Sequence, residues 1–176
     1  MKIILGDICY PKSKVLIIPS NSMGIMNRGI AKKVLKHAWI GVENQSKEEA
    51  KKKKYKLGEC FFTGPGRLRR RGVVNICHAI IKRLPSDLIS VSIVQEALNN
   101  SFLKVIKNKL SSVTIPGFAI DSDNIDEGVI ANITAMVCNR YKRKVEIKII
   151  DDNKEFIEKI SKILNIDYEV KKQRIS

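Results

Sequence analysis

Polar residues that could bind an anionic ligand are concentrated in three short segments, and each segment follows a stretch of apolar residues. These segments are residues 6–8 (GDI), 20–29 (SNSMGIMNRG) and 117–124 (GFAIDSDN). The second segment combines Asn and Ser side chains, two glycines, backbone N–H groups and the start of a predicted helix, which together suit a phosphate group. The sequence therefore predicts that a phosphorylated ligand binds at these loops.

Some of these residues also have purely structural explanations. Asp7 could cap a turn, as aspartate commonly does, and Asn21 could hydrogen-bond the backbone of its own loop. His78 is a candidate acid or base, but it could equally be a histidine held at a strand end by ordinary hydrogen bonds. Both explanations are open at the level of the sequence.

The charge of the chain is strongly asymmetric. Its 33 Lys or Arg and 18 Asp or Glu residues give a formal net charge of +15, and residues 1–84 contain 19 of the basic residues but only 5 of the acidic ones. Such a field attracts phosphate-bearing partners, including nucleic acid, although solvated basic surface also keeps proteins in solution. No aromatic residue lies within the arginine-rich run, which disfavours a platform for stacked bases. The predicted nucleic-acid patch consists of Lys51, Lys52, Lys53, Lys54, Lys56, Arg67, Arg69, Arg70 and Arg71.

The cysteines and the hydropathy pattern exclude several classes of protein. The four cysteines include no C-x-x-C pair, and we expect them to be reduced and mostly buried. Cys77 and His78 are adjacent, so their side chains in a strand point to opposite faces and cannot easily share a metal ion. We expect no metal site and no cofactor.

No apolar run approaches the ~20 residues of a membrane span and the first residues do not resemble a secretory signal, so we expect a cytoplasmic protein with no membrane partner.

Apolar periodicity predicts that strands and helices alternate along the chain. Strands are predicted at residues 2–5, 15–18, 58–63, 73–81, 113–116 and 145–150, and helices at 29–37, 47–55, 91–110, 126–141 and 154–164. This alternation is typical of an α/β fold in which helices cover both faces of a mixed, mostly parallel sheet, giving three layers in the order α/β/α. We expect one domain over residues 1–166 and a basic tail over 167–176.

Several short motifs, in this order and spacing, resemble those of the macro domain, a family that binds ADP-ribose and related adenine nucleotides. The resemblance covers nearly the whole chain. The motifs are GDI at residues 6–8, VLIIPSN at 15–21, GIA at 29–31, LGECFFTGPGRL at 57–68, ICHA at 76–79 and TIP at 114–116.

The resemblance implies roles for individual residues. Asp7 would accept a hydrogen bond from the adenine amino group, Ile8 would contact the adenine ring, and Asn21 would bind the distal ribose. Backbone groups of the GIA motif would contact the pyrophosphate, and Arg28 could reach a phosphate as a cation. The remaining implied ligand-binding residues are Gly29, Ile30, Ala31, Ala119, Ile120, Asp121, Ser122 and Ile150.

The sequence also departs from the family pattern. Only the third glycine of the first glycine cluster is present, at Gly29, and the second loop lacks both expected glycines and its aromatic residue. Asp121 and Asp123 stand where a pyrophosphate would lie, and like charges repel. Ile150 occupies the position of the aromatic residue that stacks on adenine. These changes predict weaker binding of ADP-ribose, or a different nucleotide.

Hydrolysis of ADP-ribosyl bonds is a further possibility. One catalytic branch of the family has an Asp where this chain has Ala31, so that route is absent. The branch that resembles terminal ADP-ribose glycohydrolase has GIA, an Asp in the second loop and a catalytic Lys. Asp123 matches that Asp, although it could also be a turn or N-cap residue. An ungapped comparison places Ala79 at the Lys position, with Lys82 three residues later. The main hypothesis is nucleotide binding without catalysis; the alternatives are a nucleic-acid-binding module and a hydrolase.

Overall fold

The computed structural model describes residues 1–118 and 124–171. Within these residues, seven strands form one sheet in the order β3-β4-β2-β5-β6-β1-β7. Only the β3–β4 pair is antiparallel in that sheet; the other neighbours are parallel. The strands are β1 Lys2–Leu5, β2 Val15–Asn21, β3 Cys60–Thr63, β4 Asn75–Lys82, β5 Ser112–Ile115, β6 Glu146–Asp151 and β7 Tyr168–Val170.

Helices cover both faces of this sheet, as the alternation predicts. The helices are α1 Gly29–Ala38, α2 Gly41–Lys53, α3 Val91–Lys107, α4 Glu127–Tyr141 and α5 Lys154–Leu164, with a 3-10 helix at Gly66–Arg71. Successive residues of β2 point to opposite faces. Val15 and Ile17 pack with apolar residues of α3, α4 and α5, whereas Leu16 and Ile18 pack with residues of α1 and with Leu68 of the 3-10 helix. The predicted three-layer α/β/α fold with a mixed, mostly parallel sheet is confirmed.

Most elements differ from the predicted bounds by one to three residues, and two differ by more. Helix α2 begins at Gly41 rather than at residue 47, because Val42, Ser46 and Ala50, spaced four residues apart, form a narrow buried stripe on an otherwise polar helix. Strand β7 was assigned by sequence to the tail, but it pairs with β1 through backbone hydrogen bonds. Its side chains are half-buried or exposed, so it has no alternating apolar pattern. In the portions of the chain described here, the helices are too short or too polar to cross a bilayer.

Candidate functional site

A cavity of about 310 Å³ opens at the carboxyl ends of β2, β4 and β5, beside the first turn of α1. This is the edge at which the loops of a parallel sheet converge, and ligands of such folds bind there. The predicted site residues that line it are Asn21, Arg28, Gly29, Ile30 and Ala31, and they are joined by Lys82, Asp87, Ile89 and Asn124, among others. The GIA motif therefore lines a cavity large enough for a ligand, and its contact with a ligand stays a prediction.

The first turn of α1 offers backbone donors to this cavity. The first N–H groups of a helix have no partner within the helix. Arg28, the N-cap residue, is extended and makes no side-chain capping bond, and the first turn contains no acidic residue. Within residues 1–118 and 124–171, no side-chain hydrogen bond caps these N–H groups. Together with the Arg28 guanidinium, this turn suits a negatively charged group.

Lys82 is a residue of the cavity wall that the ungapped sequence comparison did not place there. It lies at the end of β4, lines the cavity, and its Nζ donates a hydrogen bond to the Pro85 carbonyl oxygen at 3.1 Å. Partial burial lowers the pKa of Lys82, and the positive charge of Arg28 lowers it further, while Asp87 acts in the opposite direction. The register of β2 against β4 shifts between Ser20 and Asn21, so that Asn21 pairs with Lys82.

Asn21 lines the cavity but its side chain is engaged with its own loop. Its Oδ1 accepts hydrogen bonds from the backbone N–H groups of Met23 and Ile25, both at 3.2 Å, and its Nδ2 donates to the Ile25 carbonyl oxygen at 2.7 Å. Asn21 therefore hydrogen-bonds the backbone of its own loop, which is the structural explanation offered above. A contact with ribose stays a prediction.

The residues expected to bind adenine lie apart from this cavity. As far as the described residues define its walls, Asp7, Ile8 and Ile150 do not line it. Ile8 and Ile150 are 1% and 3% exposed and belong to the core beneath α1. The Asp7 carboxylate accepts a hydrogen bond from the Cys9 N–H at 2.9 Å and forms an ion pair with Lys33 at 3.6 Å. Asp7 thus caps a turn, and its contact with adenine stays a prediction.

The second predicted ligand loop cannot be placed. Its residues lie outside the part of the chain that the structure describes, and their roles, including that of Asp123 as a catalytic residue, stay predictions. These residues are Ala119, Ile120, Asp121, Ser122 and Asp123. Asn124, the first described residue after this loop, exchanges side-chain hydrogen bonds with the backbone of Ile89, which also lines the cavity.

The two basic runs lie on different elements of the fold. The lysines lie at the C-terminal end of α2, whereas the glycine that begins the 3-10 helix, Gly66, abuts Ala38 and Val42 near the N-terminal end of α2. Nine residues of helix separate Val42 from Lys51, which is about 14 Å. The structure does supply an aromatic partner that the sequence did not indicate, because the Arg71 guanidinium lies 3.8 Å from the centroid of the half-exposed Tyr10 ring. Nucleic-acid binding stays a prediction.

His78 is enclosed in the core on β4 and is not among the residues that line the cavity. Its Nε2 is 3.0 Å from the Thr63 hydroxyl, and its ring stacks on Phe61 with centroids 4.8 Å apart. Its Nδ1 has no hydrogen-bond partner among the described residues. Burial lowers the pKa of His78 to about 3. The geometry supports the structural explanation of His78 over the acid or base role.

Comparison with known proteins matches this chain to one family. The family model described as Macro domain matches residues 17–133. A protein of Aquifex aeolicus described as uncharacterized is 26% identical over 168 residues, which are 94% of this chain and 98% of that protein. Among solved structures, an Oceanobacillus iheyensis macrodomain variant with ADPR has a TM-score of 0.81 at 17% identity, covering 93% of this chain and 90% of its own. The macrodomain of Mycobacterium tuberculosis DarG has a TM-score of 0.73 at 16% identity, covering 85% and 98%. At these identities the structures establish a shared fold.

Proposed function

Because the chain belongs to the macro domain family, we propose that its cavity binds ADP-ribose or a related adenine nucleotide. The observation that carries this proposal is the uncapped first turn of α1 facing a cavity that also contains two cations, Arg28 and Lys82. A diphosphate placed there would meet backbone N–H donors and positive charge together. The Oceanobacillus iheyensis variant with ADPR shows that the fold accommodates such a ligand.

The same geometry supports recognition that depends more on the phosphate groups than on adenine. The three residues expected to contact the base are buried or already paired, as described above. A base bound there must either displace Lys33 from Asp7 or rest on the surface without that carboxylate. Either course lowers the affinity, which agrees with the weaker binding predicted from the altered glycine loops.

Replacing Arg28 by alanine is expected to weaken ADP-ribose binding about 10- to 150-fold, because a hydrogen bond to a charged group contributes about 1.5–3 kcal/mol. The measurement is calorimetric titration with ADP-ribose at low and moderate salt. Arg140→Ala is the matched control, since it removes the same charge from α4, where the guanidinium bonds to Asn99. Equal affinities for the two variants would contradict the proposal. Binding of RNA that falls steeply with salt and requires Lys51–Lys54 would instead favour the nucleic-acid alternative.

A second candidate function is hydrolysis of ADP-ribosyl esters, favoured by the position and lowered pKa of Lys82. A lysine acts as a nucleophile or base only as the neutral amine, and burial beside Arg28 increases the neutral fraction at a given pH. In the catalytic branch that the chain resembles, a Lys acts with an Asp of the second loop. Lys82 would take the first role, and Asp123 the second.

Lys82→Met is expected to reduce ester hydrolysis at least 100-fold while changing ADP-ribose affinity less than about tenfold, because the amine takes part in the chemical step. Release of ADP-ribose from an ADP-ribosyl ester, followed over time, measures the first quantity. Lys107→Met, on an exposed position of α3, is the control for loss of a positive charge. Undiminished hydrolysis by Lys82→Met would remove Lys82 from the mechanism, and undiminished hydrolysis by Asp123→Ala would remove Asp123.

A further inference from the structure

Three side chains with metal-binding atoms meet beside the end of β1, away from the cavity described above. They are Asp7 and Cys9, in the loop that follows β1, and His37, in the last turn of α1. One ligand atom from each residue lies within 4.8 Å of the others. We call them the Asp7–Cys9–His37 cluster. Carboxylate oxygen, thiolate sulfur and imidazole nitrogen are the three kinds of ligand that Zn²⁺ uses in proteins.

Independent contacts hold the members of this cluster in place. The Cys9 N–H donates to Asp7 Oδ1 at 2.9 Å, so the turn itself aligns the two residues. The carbonyl oxygen of Cys9 accepts a hydrogen bond from the Arg71 guanidinium. The same guanidinium stacks on Tyr10, whose ring meets the edge of His37 at a centroid distance of 6.2 Å. Outer contacts of this kind orient the ligands of metal sites.

We propose that the Asp7–Cys9–His37 cluster binds a divalent transition metal ion, with Zn²⁺ as the preferred ion. Bonds of 2.0–2.3 Å in a tetrahedral site place the ligand atoms about 3.3–3.8 Å apart. The cluster needs to contract by about 1.0–1.5 Å at most, which side-chain rotation of Asp7 and the half-buried His37 can supply. Three protein ligands leave the fourth position for water or a further donor.

Lys33 is the competitor for this site. Its ammonium lies 3.6 Å from Asp7 Oδ1 and 2.5 Å from Asp152 Oδ2, and the Cys9 thiol donates to the Lys33 carbonyl oxygen at 3.6 Å. A metal ion on Asp7 would drive the ammonium toward Asp152, which is exposed and free to move with it. The positive charges of Lys33 and Arg71 lower the affinity for any cation, so the expected affinity is below that of structural zinc sites.

The test is titration of the full chain, kept reduced and freed of metal by chelation, with Co²⁺ and then with Zn²⁺. Tetrahedral Co²⁺ gives strong visible absorption, and a thiolate ligand adds a near-ultraviolet charge-transfer band. We expect both at one equivalent of Co²⁺, and their loss when Zn²⁺ is added. Cys9→Ser should abolish the charge-transfer band, whereas Cys138→Ser, which removes a buried thiol from α4, should retain it.

Two variants of partly exposed residues test the cluster without disturbing the core. His37→Gln should weaken Co²⁺ binding at least tenfold, and Lys33→Met should strengthen it, because the competing ammonium is removed. Circular dichroism checks that each variant is folded. Weak, octahedral-type absorption with no dependence on Cys9, or an affinity that His37→Gln and Lys33→Met leave unchanged, would overturn the proposal. These readouts use the metal alone, so they do not depend on nucleotide binding.

Discussion

Gly66→Ala is expected to lower the free energy of unfolding by about 3–5 kcal/mol, which would be a large fraction of the stability of a typical domain. Gly66 begins the 3-10 helix with a φ of +54°. A Cβ there would lie 2.0 Å from the carbonyl oxygen of Ala38, at the end of α1, and 2.9 Å from a methyl group of Val42. Backbone cannot move aside as a flexible side chain can, so the 3-10 helix and its buried Leu68 would separate from α1.

Gly72→Ala is the control variant, because it introduces similar backbone strain without the steric clash. Gly72 follows the same 3-10 helix with a φ of +89°, and among the described residues nothing lies within 4 Å of a Cβ built there. Its substitution should cost only the left-handed backbone strain, about 1–2 kcal/mol. Urea unfolding of both variants, analysed with a common slope, measures the difference. Equal losses for the two variants would show that α1 and the 3-10 helix tolerate the clash by shifting.

Stability is expected to fall on acidification through the protonation of His78 in the unfolded chain. The ordinary histidine pKa of 6.5 applies to the unfolded state, whereas burial lowers the pKa of His78 in the folded state to about 3. Between these values the unfolded state binds one more proton than the folded state, so the stability is fully present above pH 6.5 and decreases as the pH falls toward 3. The decrease is about 1.4 kcal/mol per pH unit, or about 2 kcal/mol between pH 6.5 and 4.5.

The measurement compares unfolding free energies at pH 6.5 and 4.5 for the parent chain, His78→Leu and His37→Gln, all with a chelator present. His78→Leu loses the bond to Thr63 and starts less stable, but its loss between the two pH values should be smaller than that of the parent by about 2 kcal/mol. His37→Gln is the control for the removal of a histidine outside the core. Identical pH dependence in all three proteins would contradict the assignment to His78.

The layers of the fold were predictable because the apolar pattern of each long element follows from its burial. β1 and α5 have the predicted bounds, and the alternate faces of β2 pack against different helices, as a strand buried on both sides requires. β7 carries no such pattern, because its contribution to the sheet is backbone pairing alone. The start of α2 was not predicted because only two of its four buried residues, Val42 and Ala50, are apolar.

The sequence predicts those site residues whose place follows from their position along the chain, such as residues at a strand-to-helix junction. It does not predict contacts with side chains from other elements. The GIA motif had to lie at a strand-to-helix junction, and it lines the cavity. The sequence could not indicate that Lys33, 26 positions after Asp7, would pair with that carboxylate. Nor could it indicate the register shift that sets Lys82 beside Asn21, because a bulge in the ladder changes pairing without changing residue types.

The position of β1 in the sheet has a consequence for the order in which the chain can fold during synthesis. β1 is made before the other strands of this sheet, yet its two neighbours are β6 and β7, and Lys2 pairs with Lys148. At a translation rate of about 5–20 residues per second, roughly 7–30 s pass between the synthesis of Lys2 and that of its partner Lys148. During that interval the β2, β3, β4 and β5 segments can assemble around α3, while Ile3 and Ile4 stay exposed. Closure of the sheet is therefore a late, long-range event, and the nascent first strand is the segment that a chaperone would have most time to bind.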